Sequence, residues 1–308
     1  MRVGFIGLGM MGRNAALNVA RKGFEMVVYD IRPDAMLPLI DKGAAPASTP
    51  AEVLGRVDVV VTMVFGPKEI EAVLRGPDGF LSTDCAGKIW IDLTTSRPQL
   101  MRDLGAEFRA RGGVAIDAPV TGSVDSAIRG DMLMFVGGEE DEIERARPVI
   151  EAMGEIRKVG AHGNGYVAKL VNNQLWKIHA AAIGEAMVTA KLAGLDPKVW
   201  WDVMKGGAAD SFVLQHDVPS IFAGHYDPSF PIALCLKDLG LIEELMTETG
   251  TRNELTRATH DRFKEAAARY GTDAGEMTVC KVIEDDAGVE LRVPGDWIAP
   301  WEVQPPTA

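Results

Sequence analysis

The chain is expected to fold as an α/β domain, a mostly parallel doubly wound sheet, followed by an all-α domain. Three observations predict this. Apolar, β-branched runs alternate with amphipathic helical stretches up to about residue 160. A glycine-rich turn, Gly7-Leu8-Gly9-Met10-Met11-Gly12, separates the first such run from the first helical stretch. Beyond Gly163-Asn164-Gly165, strand signals nearly vanish and Ala, Leu, Met, Lys and Glu dominate.

Residues 2–6 read as a strand and residues 26–30 as a second one ending in Asp30, with a helix between them. In that setting each glycine has a physical task. Gly7 permits a tight turn, Gly9 lets the backbone approach a pyrophosphate, and Gly12 lets the helix lie close on the strand. The helix that starts near Gly9 points free N–H groups and its positive dipole end toward the phosphates. Asp30 is placed to accept both ribose hydroxyls of NAD and to repel a 2′-phosphate. Arg32, two residues on, offers a guanidinium that suits such a phosphate, so NAD is expected and NADP is the alternative.

Further strands are expected at residues 57–64, 88–92, 113–117 and 132–136, nearly continuous in apolar character, as burial on both faces requires. A charged amphipathic helix over 97–111 is typical of the segments between them. Residues 166–192 contain no proline and Gly184 as their one glycine, which predicts a helix about 40 Å long joining the domains. More helices are expected over 197–205, 234–250 and 253–270. The chain thus divides into residues 1–162, a dinucleotide-binding domain; 163–290, a helical substrate and dimerisation domain; and 291–308, a Pro/Trp-rich tail. Trp297 and Trp301 in that tail are costly to leave in water and are expected to pack on the helical domain or a neighbouring subunit.

Composition narrows the function. At 308 residues the chain has room for two cores, and 47% hydrophobic with 25% charged residues is ordinary for a globular protein. A net charge of −12 argues against a nucleic-acid surface, and an anionic substrate would need a local cationic site. Cys85, Cys235 and Cys280 are odd in number and widely spaced, which suits reduced, buried thiols in the cytoplasm, with neither disulfide framework nor metal site. No segment has the ~20 unbroken apolar residues of a membrane span.

Two polar clusters fall where ligands of open α/β sheets bind, beyond the carboxyl ends of strands. Asp117-Ala118-Pro119-Val120-Thr121-Gly122-Ser123 follows a strand, and Thr121, Gly122 and Ser123 form a plausible carboxylate cradle. Lys169 and Asn173 stand at i and i+4 near the start of the long helix and share one face. A lysine at a helix's positive end, partly desolvated, has reason for a lowered pKa and for moving protons. Lys237-Asp238 is a further candidate, with solvated charges an equal reading of those two residues alone.

Taken together the motifs resemble the β-hydroxyacid dehydrogenase family, which includes 3-hydroxyisobutyrate dehydrogenase and tartronate semialdehyde reductase. The resemblance runs to about residue 285 and rests on four motifs in the family's order: Gly7–Gly12, Asp117 to Gly122, Gly163 through Lys169 to Asn173, and Lys237-Asp238-Leu239. It implies a Rossmann domain, a helical domain carrying the contacts of a homodimer or homotetramer, and an active site between them. Lys169 would be the catalytic acid/base and Asn173 its partner. Thr121, Gly122 and Ser123 would hold the carboxylate of a small hydroxy acid, and Lys237 would lie over cofactor and substrate. The backbone of Met63 and Val64 and the side chain of Thr95 would border the nicotinamide half of NAD. Three features depart from the family: Thr121-Gly122-Ser123 replaces Ser-Gly-Gly, Val64-Phe65 replaces Leu-Pro, and the tryptophan-bearing tail is long. Two other readings compete, an imine reductase-like NADPH enzyme, against which Lys169 argues, and a non-catalytic dinucleotide-binding module.

Overall fold

The structure is a computed structural model that describes residues 1–306; Thr307 and Ala308, the end of the expected tail, lie outside the described residues. It contains two compact units, residues 1–169 together with 303–306, and residues 170–302.

In the first unit strands and helices alternate: β1 (Arg2–Ile6), α1 (Met10–Arg21), β2 (Glu25–Tyr29), α2 (Leu37–Ile40), β3 (Ala45–Pro46), α3 (Pro50–Arg56), β4 (Val59–Thr62), α4 (Pro67–Arg75), β5 (Ile89–Asp92), α5 (Pro98–Ala110), β6 (Val114–Asp117), β7 (Val120–Thr121), α6 (Ser123–Arg129), β8 (Met132–Gly137), α7 (Glu140–Ile150) and β9 (Gly154–Gly160). The sheet order is β3-β2-β1-β4-β5-β6-β8-β7, with β9 paired to β8. Pairing from β3 through β6 is parallel throughout. β8 runs antiparallel to β6 and β7 and parallel to β9. The mostly parallel doubly wound sheet is therefore as expected. Its order reverses between β1 and β4, which puts the switch point at their carboxyl ends.

Alternate residues of each strand point to opposite faces, and both faces are covered. Val3, Phe5, Val59, Val61, Ile89 and Ile91 pack with Ala15 and Val19 of α1 and Ile143 and Val149 of α7. Ile6, Val60, Trp90 and Ala115 pack with residues of α3, α4 and α5. Strand β9 was not expected. Glu155, Arg157 and Lys158 give it an exposed, charged edge that no search for apolar runs finds.

The long helix, α8 (Asn164–Leu192), gives its first residues to the first unit and the remainder to the second. The second unit continues with α9 (Pro197–Met204), a π-helical turn (Val213–Asp217), α10 (Val218–Ala223), α11 (Ile232–Thr249), α12 (Glu254–Tyr270) and α13 (Thr278–Ala287). α13 escaped the sequence reading because Thr278, Val279, Val282 and Ile283 are β-branched, and its buried face makes the helix where propensity does not. Gly184 has a packing reason: a Cβ there would lie 3.0 Å from Cys280 Cα, so it lets α13 approach α8. The tail residues Trp297 and Trp301 pack on this unit. Trp297 meets Trp201 edge-on at 5.7 Å and Phe222 at 5.3 Å, and Trp301 packs on His225 at 4.9 Å. All three cysteines are free and buried. No helix among the described residues is long and apolar enough to cross a membrane.

Candidate active site

The glycine turn sits at the switch point and its shape is dictated by close packing. Gly7 has φ +91°, and a Cβ on it would strike the carbonyl oxygen of Met63 in the loop after β4. A Cβ on Gly12 would strike the carbonyl of Gly7, so both positions require glycine. Gly9 differs, since a Cβ there would meet nothing within 4 Å. The protein leaves that side open, as a turn that admits a ligand's pyrophosphate needs. Gly9 is also the N-cap of α1 and offers no side-chain cap to the first N–H groups of α1, an arrangement that suits an anion. Asp30 is buried; it accepts from Leu8 N at 2.7 Å and Arg32 N at 2.8 Å. It thus fixes the glycine turn, a task that the sequence did not reveal. The Arg32 side chain is exposed, with Nε 3.5 Å from Asp30. These residues fit a dinucleotide.

Behind the turn lies a buried polar network at the ends of β4 and β5. Asp92 accepts from Thr62 Oγ1 at 2.5 Å, Thr94 Oγ1 at 2.9 Å, Thr94 N at 3.0 Å and the Tyr166 hydroxyl at 3.1 Å. Trp90 Nε1 donates to Thr62, and Val64 N donates to Thr94 Oγ1 at 3.2 Å. Tyr166 belongs to the first turn of α8, so the network ties that helix to the loops beside Gly7. The Met63-Val64 backbone stands against the glycine turn, and Thr95, half-buried, follows Thr94 in the next loop.

Asp117, in register with Asp92 on the neighbouring strand, anchors the start of α8. Its Oδ1 accepts from Gly163 N at 3.0 Å and its Oδ2 from Gly165 N at 2.6 Å. A Cβ on Gly165 would collide with this carboxylate, which explains the second glycine of that pair. Lys169 is half-buried one turn further along α8.

Burial pushes the Asp92 carboxyl up to about 7 and that of Asp117 up to about 6, against the hydrogen bonds that favour their charged forms. A carboxyl raised in the fold holds a proton that the unfolded chain has already released. Their contribution to stability should therefore fall as pH rises from about 4 to about 7 and level off above, while the buried His162, pushed down to about 4, contributes in the opposite sense. Thermal melts across that range at fixed ionic strength should show a less negative slope in Asp92→Asn than in the native chain. An unchanged slope in Asp92→Asn contradicts the assignment.

Thr121 ends β7, Gly122 has φ +127°, and Ser123 opens α6 with φ +67°. A non-glycine residue in the left-handed region costs about 1–3 kcal/mol, and such strain gathers at functional sites. All three residues are half-buried.

In the second unit, Asn173 and Lys237 meet through Asp238. Asn173 Nδ2 donates to Asp238 Oδ2 at 2.7 Å, and Lys237 Nζ lies 3.1 Å from Oδ1. Lys177 Nζ stands 3.4 Å from Oδ2. Lys177 lies four residues from Asn173 and eight from Lys169, but that spacing alone does not mark a lysine as buried. Nor does the sequence mark Asp92, Tyr166 or the anchoring task of Asp117. Each depends on neighbours that only the sheet register brings together.

A glycine-rich turn with an open side at the switch point of a doubly wound sheet, in a chain whose long helix bears a lysine and an asparagine four residues apart, points to the class of dinucleotide-dependent oxidoreductases. Residues 2–164 match the family model described as the NAD binding domain of 6-phosphogluconate dehydrogenase, and residues 163–283 the one described as NAD-binding of NADP-dependent 3-hydroxyisobutyrate dehydrogenase. L-threonate dehydrogenase of Cupriavidus necator is 33% identical over 94% of this chain and 97% of its own length. Mouse mitochondrial 3-hydroxyisobutyrate dehydrogenase is 35% identical over 85% of this chain and 81% of its own. The structure of Mycobacterium tuberculosis 3-hydroxyisobutyrate dehydrogenase with L-serine superposes with a TM-score of 0.83, at 29% identity, over 92% of this chain and 99% of that one. The chain belongs to the β-hydroxyacid dehydrogenase family of NAD(P)-dependent oxidoreductases.

Proposed function

We propose that the chain moves a hydride between NAD and the hydroxyl-bearing carbon of a small β-hydroxy acid similar to 3-hydroxyisobutyrate, or its semialdehyde, with Lys169 as general acid/base. One observation carries this reading: Asp117 and Asp92 fix the first turn of α8 from two neighbouring strands, which gives Lys169 a rigid backbone. Neutral Lys169 takes the hydroxyl proton during oxidation and returns it during reduction. Asn173 is its partner. Thr121, Gly122 and Ser123 hold the substrate carboxylate, Lys237 covers substrate and cofactor, and the strain at Ser123 supports a task for that cradle. Bound NAD supplies the hydride acceptor, bordered by Met63, Val64 and Thr95. The buried Asp30 favours NAD over NADP, and the exposed Arg32 is the residue that would serve NADP.

The enzyme works as a homodimer or homotetramer through its helical unit. Exposed apolar pairs at helical spacing, Val171 with Leu175 on α8 and Val199 with Val203 on α9, support this. Three free buried thiols suit the cytoplasm.

A panel of C3–C5 hydroxy acids and semialdehydes, run with NAD and NADP side by side and followed by absorbance of the reduced cofactor, tests the reading. Turnover of a β-hydroxy acid with NAD preferred is expected. No turnover of any member, with imines reduced by NADPH instead, would overturn it.

A further inference from the structure

We infer that Lys177 is a positioning residue for the reaction, one that acts through the carboxylate of Asp238 on Asn173 and Lys237. The inference rests on the proposed role of Asn173 beside Lys169. Lys169, Asn173 and Lys177 follow one another at intervals of four on α8 and so share a face. The side chain of Lys177 is only 1% exposed, and an ammonium buried to that degree must be compensated where it stands. Asp238, 2% exposed, lies 3.4 Å away, and the rings of Trp176 and Phe230 lie 5.2 Å and 5.7 Å from the nitrogen.

Asp238 therefore serves three side chains. Its Oδ2 receives the amide of Asn173 and faces Lys177, while its Oδ1 faces Lys237. The Asn173 amide is thereby held one way round, with its nitrogen on Asp238 and its oxygen turned to accept. That oxygen already accepts from Asn172 Nδ2 at 3.2 Å, and it has a second lone pair to offer a protonated amine. Lys237, at 16% exposure, is the less buried of the two lysines. When Lys237 turns to an anionic substrate, Lys177 stays and keeps Asp238 compensated, so Asn173 does not reorient. Glu276 and the Cys235 thiol stand in the same field.

Lys177→Met keeps an unbranched apolar side chain one atom shorter but removes the charge and the contacts of the nitrogen with the rings. Its turnover should fall about 10–100-fold, with the dissociation constant of NAD unchanged. Asp238→Asn should fall at least as far, and the double variant no further than Asp238→Asn alone. A folded Lys177→Met whose kcat and KM stay within twofold of the native values overturns the inference, as does a lower melting temperature with kcat intact. Should Lys177→Met not fold, Lys177→Gln and Lys177→Arg replace it: turnover higher in the charged variant is expected, and equal turnover contradicts the role. The failure of this inference is separable from that of the proposed function. A Lys169→Ala enzyme that keeps its turnover removes both, whereas an inactive Lys169→Ala beside an unaffected Lys177→Met removes only this one.

Discussion

Lys169→Ala should lower turnover by about 10²–10⁴-fold while NAD still binds, because that range is what a placed proton-transfer group contributes. The two effects separate because they belong to different parts of the chain. The glycine turn, the uncapped start of α1 and Asp30 are held by contacts among residues 7–63, none of which involves Lys169. Removing a half-buried lysine from α8 leaves the Asp117 and Asp92 hydrogen bonds of the first turn untouched, so the fold should persist. Stopped-flow turnover and fluorescence titration of NAD on the same sample check both halves. Near-native turnover would remove Lys169 from the chemistry; loss of NAD binding would show that the variant disturbs more than a proton donor.

Asp117→Ala should have the second large effect, on stability and turnover together. The substitution strands the N–H groups of Gly163 and Gly165 in a buried setting, at about 1–3 kcal/mol each, and leaves a cavity at the start of α8. With its first turn loosened, the backbone that carries Lys169 loses its reference to the sheet, and displacements near 1 Å cost on the order of 10²-fold in rate. Asp117→Asn keeps one acceptor and should fall between the native chain and Asp117→Ala in both properties. Denaturant unfolding and kcat measured on the three proteins test the ordering. Native-like values for Asp117→Ala would mean that α8 is held by something other than this carboxylate.

The fold class was legible because its signals are local. The G-x-G-x-x-G turn follows a strand and precedes a helix, and the shift to helix formers near Gly163 marks where strand signals stop. Two short strands and β9 were not legible, since a two-residue strand has no periodicity and β9 is charged along its exposed edge. Among the candidate site residues, spacing alone revealed Lys169 with Asn173, and the glycines revealed the turn. The tasks of Asp117 and Asp92 stayed hidden for a different reason. An aspartate ending a strand reads as an N-cap or turn residue, and its real partners, Gly163 and Gly165 in one case and Tyr166 in the other, lie tens of residues away in the chain. Lys177 was hidden because a lysine on a helix ordinarily belongs to a solvated face; only burial against Asp238 shows otherwise.

The central claim is that the amine of Lys169 carries the proton of the hydroxyl. Its most direct test is turnover of Lys169→Ala with small primary amines added to the assay. Activity should return in proportion to the free-base concentration of the amine and follow its basicity, with the dissociation constant of NAD unaltered. A variant that shows no recovery with any amine, yet binds NAD and the hydroxy acid as the native enzyme does, would contradict the claim.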